Sequence, residues 1–215
     1  MKLYTYFRSS AAYRVRIALN LKRLEYEPAF VNLLKSEQRD SNYLALNAQG
    51  FVPALEDGET LVTQSLAIIE YLDERHPEPP LLPRDAAGRA RVRALALAIA
   101  CDIHPLNNLR VLQYLEKTLS LDKEQRLAWY RHWIAEGFDA FDRMLDDPRT
   151  GEFCHGDAPT IADIALVPQV FNAQRFGCDI ARYAHIRRVN AVCLALPAFA
   201  NAAPANQPDA DPVKA

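Results

Sequence analysis

Lys2-Leu3-Tyr4-Thr5-Tyr6-Phe7-Arg8-Ser9-Ser10-Ala11-Ala12 passes from a short apolar stretch into a basic helical one, and the passage sets the architecture. Leu3 to Tyr6 predicts a strand, and Ala12 to Lys22 predicts a helix with Val15, Ala18, Leu19 and Lys22 on one face. Working outward, a second strand is expected near Pro28 to Leu33 and a short helix near Asp40 to Leu46. Strands near Val52 to Glu56 and Thr60 to Val62 follow, then a helix from Ser65 to about Arg75. The order is βαβ followed by ββα, an α/β unit with a mixed sheet. Glu56-Asp57-Gly58-Glu59 predicts a tight hairpin, with Asp-Gly supplying positive φ, so the last two strands are antiparallel.

His76-Pro77-Glu78-Pro79-Pro80-Leu81-Leu82-Pro83 excludes helix and stiffens the chain, marking the boundary between domains. The expected division is an N-terminal domain over residues 1–80, a linker over 81–87 and an all-α domain over 88–215. Val92, Leu95, Ala96 and Ile99 mark one face of a long helix that continues through His104 and Asn108, kinked at Pro105. Further helices are expected near Asp122 to Leu145, Thr160 to Ala173 and Ile180 to Leu194, with a loose tail from Pro204 onward. Thr160-Ile161-Ala162-Asp163 fits a capping box, a structural feature rather than a chemical one.

The chain has 215 residues, half of them hydrophobic, and a formal charge of −2 from interspersed acids and bases. That balance provides no basic field for nucleic acid or anionic lipid, and no apolar run reaches membrane length. Lys2, Arg8, Arg14 and Arg16 in the first twenty residues do not form an export signal, so the cytoplasm is the expected location. Cys101, Cys154, Cys178 and Cys193 are widely spaced, with no C-x-x-C pair and no histidine partner at metal spacing. Reduced thiols and no metal site are expected.

Several residues can carry chemistry. Ser9 and Ser10 sit where a strand runs into a helix, whose unpaired N–H groups and dipole favour negative charge, and a hydroxyl there can donate to a thiolate. An isolated serine pair also serves as an ordinary N-cap. Val52-Pro53 begins a strand with a residue that cannot donate to a ladder; a cis bond would free the Val52 amide and carbonyl for a peptide-like ligand, and a plain edge proline is the alternative. Gln64-Ser65 opens a helix with Ser65 at the N-cap, a place for a carboxylate. His104 and Asn108 lie one turn apart, facing a cleft or capping carbonyls around the kink. Arg8, Arg110 and Arg175 are possible carboxylate clamps, whereas Arg14, Arg16, Arg89, Arg91 and Arg93 read as helix-surface charges.

Taken together, these segments resemble the zeta class of glutathione transferases, which includes maleylacetoacetate and maleylpyruvate isomerases. The resemblance runs from Lys2 to about Pro208 and is carried by the Arg8-Ser9-Ser10 segment, Val52-Pro53-Ala54-Leu55, Gln64-Ser65, His104-Pro105-Leu106-Asn107-Asn108 and Asn172-Ala173-Gln174-Arg175-Phe176. It implies a thioredoxin-like N-terminal domain, a helical C-terminal domain, a homodimer and glutathione as cofactor. It places Ser9, with Arg8 and Ser10, at the glutathione sulfur. Gln64 and Ser65 fall at the γ-glutamyl end, Val52 and Pro53 at the cysteinyl backbone, and Gln49, His104 and Asn108 on the rest of the tripeptide. Arg8, Arg110 and Arg175 fall on the carboxylates of a diacid substrate. Ala11 stands where the family usually has cysteine, which argues against a mechanism that needs a protein thiol. The implied activity is glutathione-dependent cis–trans isomerisation of a maleyl diketo acid. A transferase or dehalogenase of small α-halo acids and a non-catalytic binding protein are the alternatives; retention of Ser9, Gln64 and Ser65 argues against the last.

Overall fold

The computed structural model describes residues 1–210 and separates into two compact units. The first holds Met1–Pro80 together with the described residues from Leu196 on, and the second holds Leu81–Ala195. Leu81 and Leu82 are already buried in the second unit, and the Ile161 N–H donates to the Leu81 carbonyl at 3.1 Å, so the boundary falls at Pro80 rather than across 81–87. The described residues from Leu196 on group with the first unit, not with the helical one. Residues 211–215, part of the expected loose tail, lie outside the described residues.

In the first unit, β1 (Lys2–Thr5) pairs in parallel with β2 (Glu27–Phe30) and antiparallel with β3 (Ala54–Asp57), which pairs antiparallel with β4 (Thr60–Thr63). The strand order is β2-β1-β3-β4. α1 (Ser10–Leu21) crosses between the parallel strands, followed by α2 (Ser41–Leu46) and α3 (Ser65–Arg75). β3 begins two residues later than expected, since the ladder stops at the Tyr4↔Ala54 pair and leaves Val52-Pro53 outside. The hairpin loop is Gly58-Glu59, one residue later than expected, and only Gly58 takes positive φ. Asn32 caps a short turn, Leu33–Lys35, that local periodicity did not signal.

α1 packs on α3 and on α9 (Pro197–Ala202), a helix absent from the sequence expectation. Both arginines of α1 are buried, with Arg14 2 % and Arg16 1 % exposed, which corrects their reading as surface charges. Two residues apart on a helix means about 200° apart, so the pair could not share one solvent face. That angle was the available signal. Arg16 donates to the Ala202, Tyr6 and Phe7 carbonyls and to the Thr5 hydroxyl. Burial lowers its pKa to about 10, opposed by Tyr26, Asp209 and Tyr13, and it stays charged at neutral pH.

The second unit is helical: α4 (Ala86–Leu97), α5 (Leu109–Lys117), α6 (Lys123–Leu145), α7 (Ile161–Arg175) and α8 (Ala184–Leu194). Val92, Leu95, Ala96 and Ile99 are buried as their spacing predicts. Asp85 caps α4 by accepting the Gly88 N–H at 2.7 Å. The expected continuous helix through Asn108 does not form: a π-helical turn (Ala98–Ile103) and a 3₁₀ turn (His104–Asn107) intervene, and Asn108 is extended. Pro105 sits in the first turn of that 3₁₀ segment, where its missing N–H leaves no hydrogen bond unmade, instead of kinking a long helix. Arg91 was expected on the surface, but its guanidinium donates to Cys154, Met144 and Thr150 oxygens. The Thr160/Asp163 capping box forms as expected and heads α7.

Candidate active site

The turn between β1 and α1 carries the first group of expected residues. Ser9 is the N-cap of α1, and its Oγ accepts the Ala12 N–H at 3.2 Å. Accepting uses a lone pair and leaves the hydroxyl proton to donate. The capping and the chemical roles are therefore compatible. Ser10 is buried as the first helical residue, and the half-buried Arg8 guanidinium lies 4.8 Å from the Phe7 ring centroid. Ala11 follows, half-buried, so no thiol stands beside this turn at that position.

The corner before β3 carries the second group. The Val52–Pro53 bond is cis, both residues are buried, and the Val52 backbone lies beyond the last pair of the β1–β3 ladder. Tyr43 and Asn47 hold this corner from beneath. The Tyr43 hydroxyl and the Asn47 amide both donate to the Phe51 carbonyl, at 2.6 and 2.8 Å. Burial pushes the Tyr43 hydroxyl up to about 12, so it remains a donor at any physiological pH. Neither residue was singled out from sequence, because a supporting hydrogen bond to a distant loop has no local signature.

The start of α3 carries the third group. Gln64, not Ser65, is the N-cap, with φ +72 and ψ +120. A non-glycine residue in that region costs of order 1–3 kcal/mol and is typical of ligand clamps. Its amide donates to the Gln49 oxygen at 2.7 Å, which joins two exposed residues that sequence reading had assigned separately. Ser65 is the first helical residue, buried, and its Oγ accepts from Arg14 Nη1 at 3.3 Å. A buried cation therefore stands behind the helix start, adding positive charge to the unpaired N–H groups there.

On the helical unit, His104 is half-buried at the head of its 3₁₀ turn. Asn108 caps α5 by accepting the Arg110 N–H at 3.1 Å. Arg110 is exposed in the first turn of α5, and Arg175 is exposed at the end of α7 with its guanidinium 5.0 Å from the Phe176 ring. Phe176 stacks on Tyr130 at 3.8 Å. Among the described residues no group of three or more His, Cys, Asp or Glu forms a metal site, no helix is long and apolar enough to cross a membrane, and all four cysteines are free.

A sheet unit with a hydroxyl-capped helix, a cis-proline corner and an anion-ready helix start, together with an all-helical unit, defines a glutathione transferase fold. Family descriptions agree: the glutathione S-transferase N-terminal domain matches residues 3–80, and the C-terminal domain matches residues 127–196. The chain is 52 % identical over 210 residues to the probable maleylacetoacetate isomerase of Vibrio cholerae, covering 97 % of each chain. It is also 52 % identical to the maleylpyruvate isomerase of a Ralstonia species, covering 97 % of this chain and 99 % of that one. A solved maleylacetoacetate isomerase from Methylobacterium extorquens AM1, with bound malonate and glutathione, superposes with a TM-score of 0.95 at 43 % identity, covering 98 % of this chain and all of the other. A solved bacterial maleylpyruvate isomerase of the zeta class superposes with a TM-score of 0.96 at 51 % identity over 98 % of this chain, and the chain belongs to that zeta class of glutathione transferases, the family of the maleylacetoacetate and maleylpyruvate isomerases.

Proposed function

We infer that this protein catalyses the glutathione-dependent cis–trans isomerisation of a maleyl diketo acid, maleylacetoacetate or maleylpyruvate, in the breakdown of aromatic compounds. The observation that carries this reading is the Ser9 hydroxyl at the start of α1, with its proton left to donate and the Arg8 guanidinium next in the chain. Glutathione, held at these residues, would supply the thiolate whose reversible addition turns the cis double bond into a single bond free to rotate. An ordinary thiol has a pKa of about 8.5, so the site must favour the ionised form. Ser9 does so by donating a hydrogen bond, and the α1 N-terminus and Arg8 do so by positive charge.

The other residues bind and orient. The α3 start, backed by Arg14, suits the γ-glutamyl carboxylate, with Gln64 and Gln49 already joined beside it. The Val52 backbone, outside the ladder, suits the cysteinyl peptide group. Arg8 also stabilises negative charge as it develops on substrate oxygen. The family resemblance supports His104 and Asn108 on glutathione, Arg110 and Arg175 on the substrate carboxylates, a homodimer, and a cytoplasmic location. Two relatives at equal identity bear the names of two different diacids, so the substrate is decided by an absorbance assay of both, with and without glutathione. Conversion of neither, or equal conversion without glutathione, would overturn the reading.

A further inference from the structure

Asp209 meets the turn that carries Arg8 and Ser9 at a single residue, Phe7. Asp209 Oδ2 accepts the Phe7 N–H at 2.9 Å, and Arg16 Nη2 donates to the Phe7 carbonyl at 3.0 Å. Both backbone polar groups of Phe7 are thus gripped by side chains of opposite charge. Phe7 immediately precedes Arg8 and Ser9. The same turn closes when the Ser9 N–H donates to the Tyr6 carbonyl at 3.0 Å, and that carbonyl also receives Arg16 Nη1 at 3.4 Å.

A second contact points the same way. Ala210 packs against the apolar cluster of Tyr6, Phe7, Val31, Tyr43 and Val52, which underlies both the Ser9 turn and the Val52–Pro53 corner. Upstream, Pro204 is buried, and Ala202 and Phe199 accept hydrogen bonds from Arg16 and Tyr13 of α1. The other Asp209 oxygen is buried and takes no hydrogen bond among the described residues. A carboxylate in that setting loses hydration, and the attraction of the Arg16 charge offsets the loss.

We propose that Asp209 is a positioning residue for the isomerisation: carried on the C-terminal strap, its carboxylate fixes the Phe7 peptide and so sets where Arg8 and Ser9 present their guanidinium and hydroxyl. This rests on the functional reading above, and it makes the site depend on a residue 202 positions away in sequence. Small displacements of such groups are costly to rate.

The test compares wild type, Asp209→Ala and Asp209→Asn, each as the full chain. Asp209→Asn keeps an acceptor for the Phe7 N–H; Asp209→Ala does not. The expected result is a kcat reduced about tenfold in Asp209→Ala, scaled on a charge-assisted hydrogen bond, and largely restored in Asp209→Asn. The bound glutathione thiol, titrated by its ultraviolet thiolate band, should shift to higher pKa in Asp209→Ala. Glutathione affinity by calorimetry should fall less than kcat, and amide exchange at Phe7 should accelerate. A wild-type kcat and thiol pKa in Asp209→Ala would overturn the proposal. So would a kcat that falls only with the folded fraction while the thiol pKa stays put, since that is a stabilising role alone. If wild type converts neither diketo acid, the functional reading fails; with wild type active, the variant series decides the strap.

Discussion

Replacing Asp163 by alanine tests how much of the helical unit hangs on the head of α7. The carboxylate is fully buried and accepts four hydrogen bonds: from the Cys154 N–H at 2.7 Å, the Thr160 N–H at 2.8 Å, the Thr160 hydroxyl at 2.7 Å and, weakly, the Cys193 thiol at 3.9 Å. The hydroxyl can rotate to another acceptor, but the two amides cannot. Each orphaned buried donor costs about 1–3 kcal/mol, and relief from burying a carboxylate offsets part of the sum. The expected loss is about 3 kcal/mol, or roughly 6–12 °C in melting temperature for a chain of this size. Asp163→Asn should recover only one side, because its NH₂ must face a donor in either orientation, for a loss of about 2 kcal/mol. Urea and thermal unfolding measure both variants. An alanine midpoint within about 1 kcal/mol of wild type would refute the assignment of these hydrogen bonds as a main support of α7.

Ser9→Ala should raise the pKa of enzyme-bound glutathione, read from the ultraviolet thiolate band; an unmoved titration would remove Ser9 from that role. Arg8→Ala should cost turnover far more than glutathione affinity, so steady-state kinetics set beside calorimetry must separate the two, and equal losses would count against Arg8 as the oxyanion partner. His155 accepts from Arg91 Nη1 at 3.2 Å as a neutral ring, and burial, then the Arg91 charge, lowers its pKa. The unfolded chain therefore binds the proton more readily, and the stability is present above about pH 6.5 and lost as pH falls through the folded value. Urea midpoints for His155→Gln should differ less between pH 7 and pH 5 than those of wild type; equal differences would contradict this.

Much of the framework around the candidate site could be read along the chain because its signals are local. A strand running into Ser9, the glycine of the β3–β4 turn, the Thr160-to-Asp163 box and a helix opening at Gln64-Ser65 each declare themselves within four residues, through caps, periodicity or backbone preference. Even there the resolution was about one residue: the N-cap moved from Ser65 to Gln64 and the hairpin loop to Gly58-Glu59. The break after α4 was misjudged because Pro105 permits either a kink or a stop, and the stop is made by partners elsewhere: the Leu106 carbonyl accepts from Trp129, and Asn107 donates to the Tyr130 carbonyl.

Residue type and spacing established the order of elements and pointed to helix starts whose N–H groups suit an anion. The fates of Arg14, Arg16 and Asp209 were settled only when distant segments came together. A charged side chain is stable in a core only where its partners already stand, and theirs come from Ser65, from residues 5–7 and 202, and from Phe7. Helical spacing could show that Arg14 and Arg16 do not share one solvent face, but no window of neighbouring residues names their partners, since those are supplied by the packed molecule.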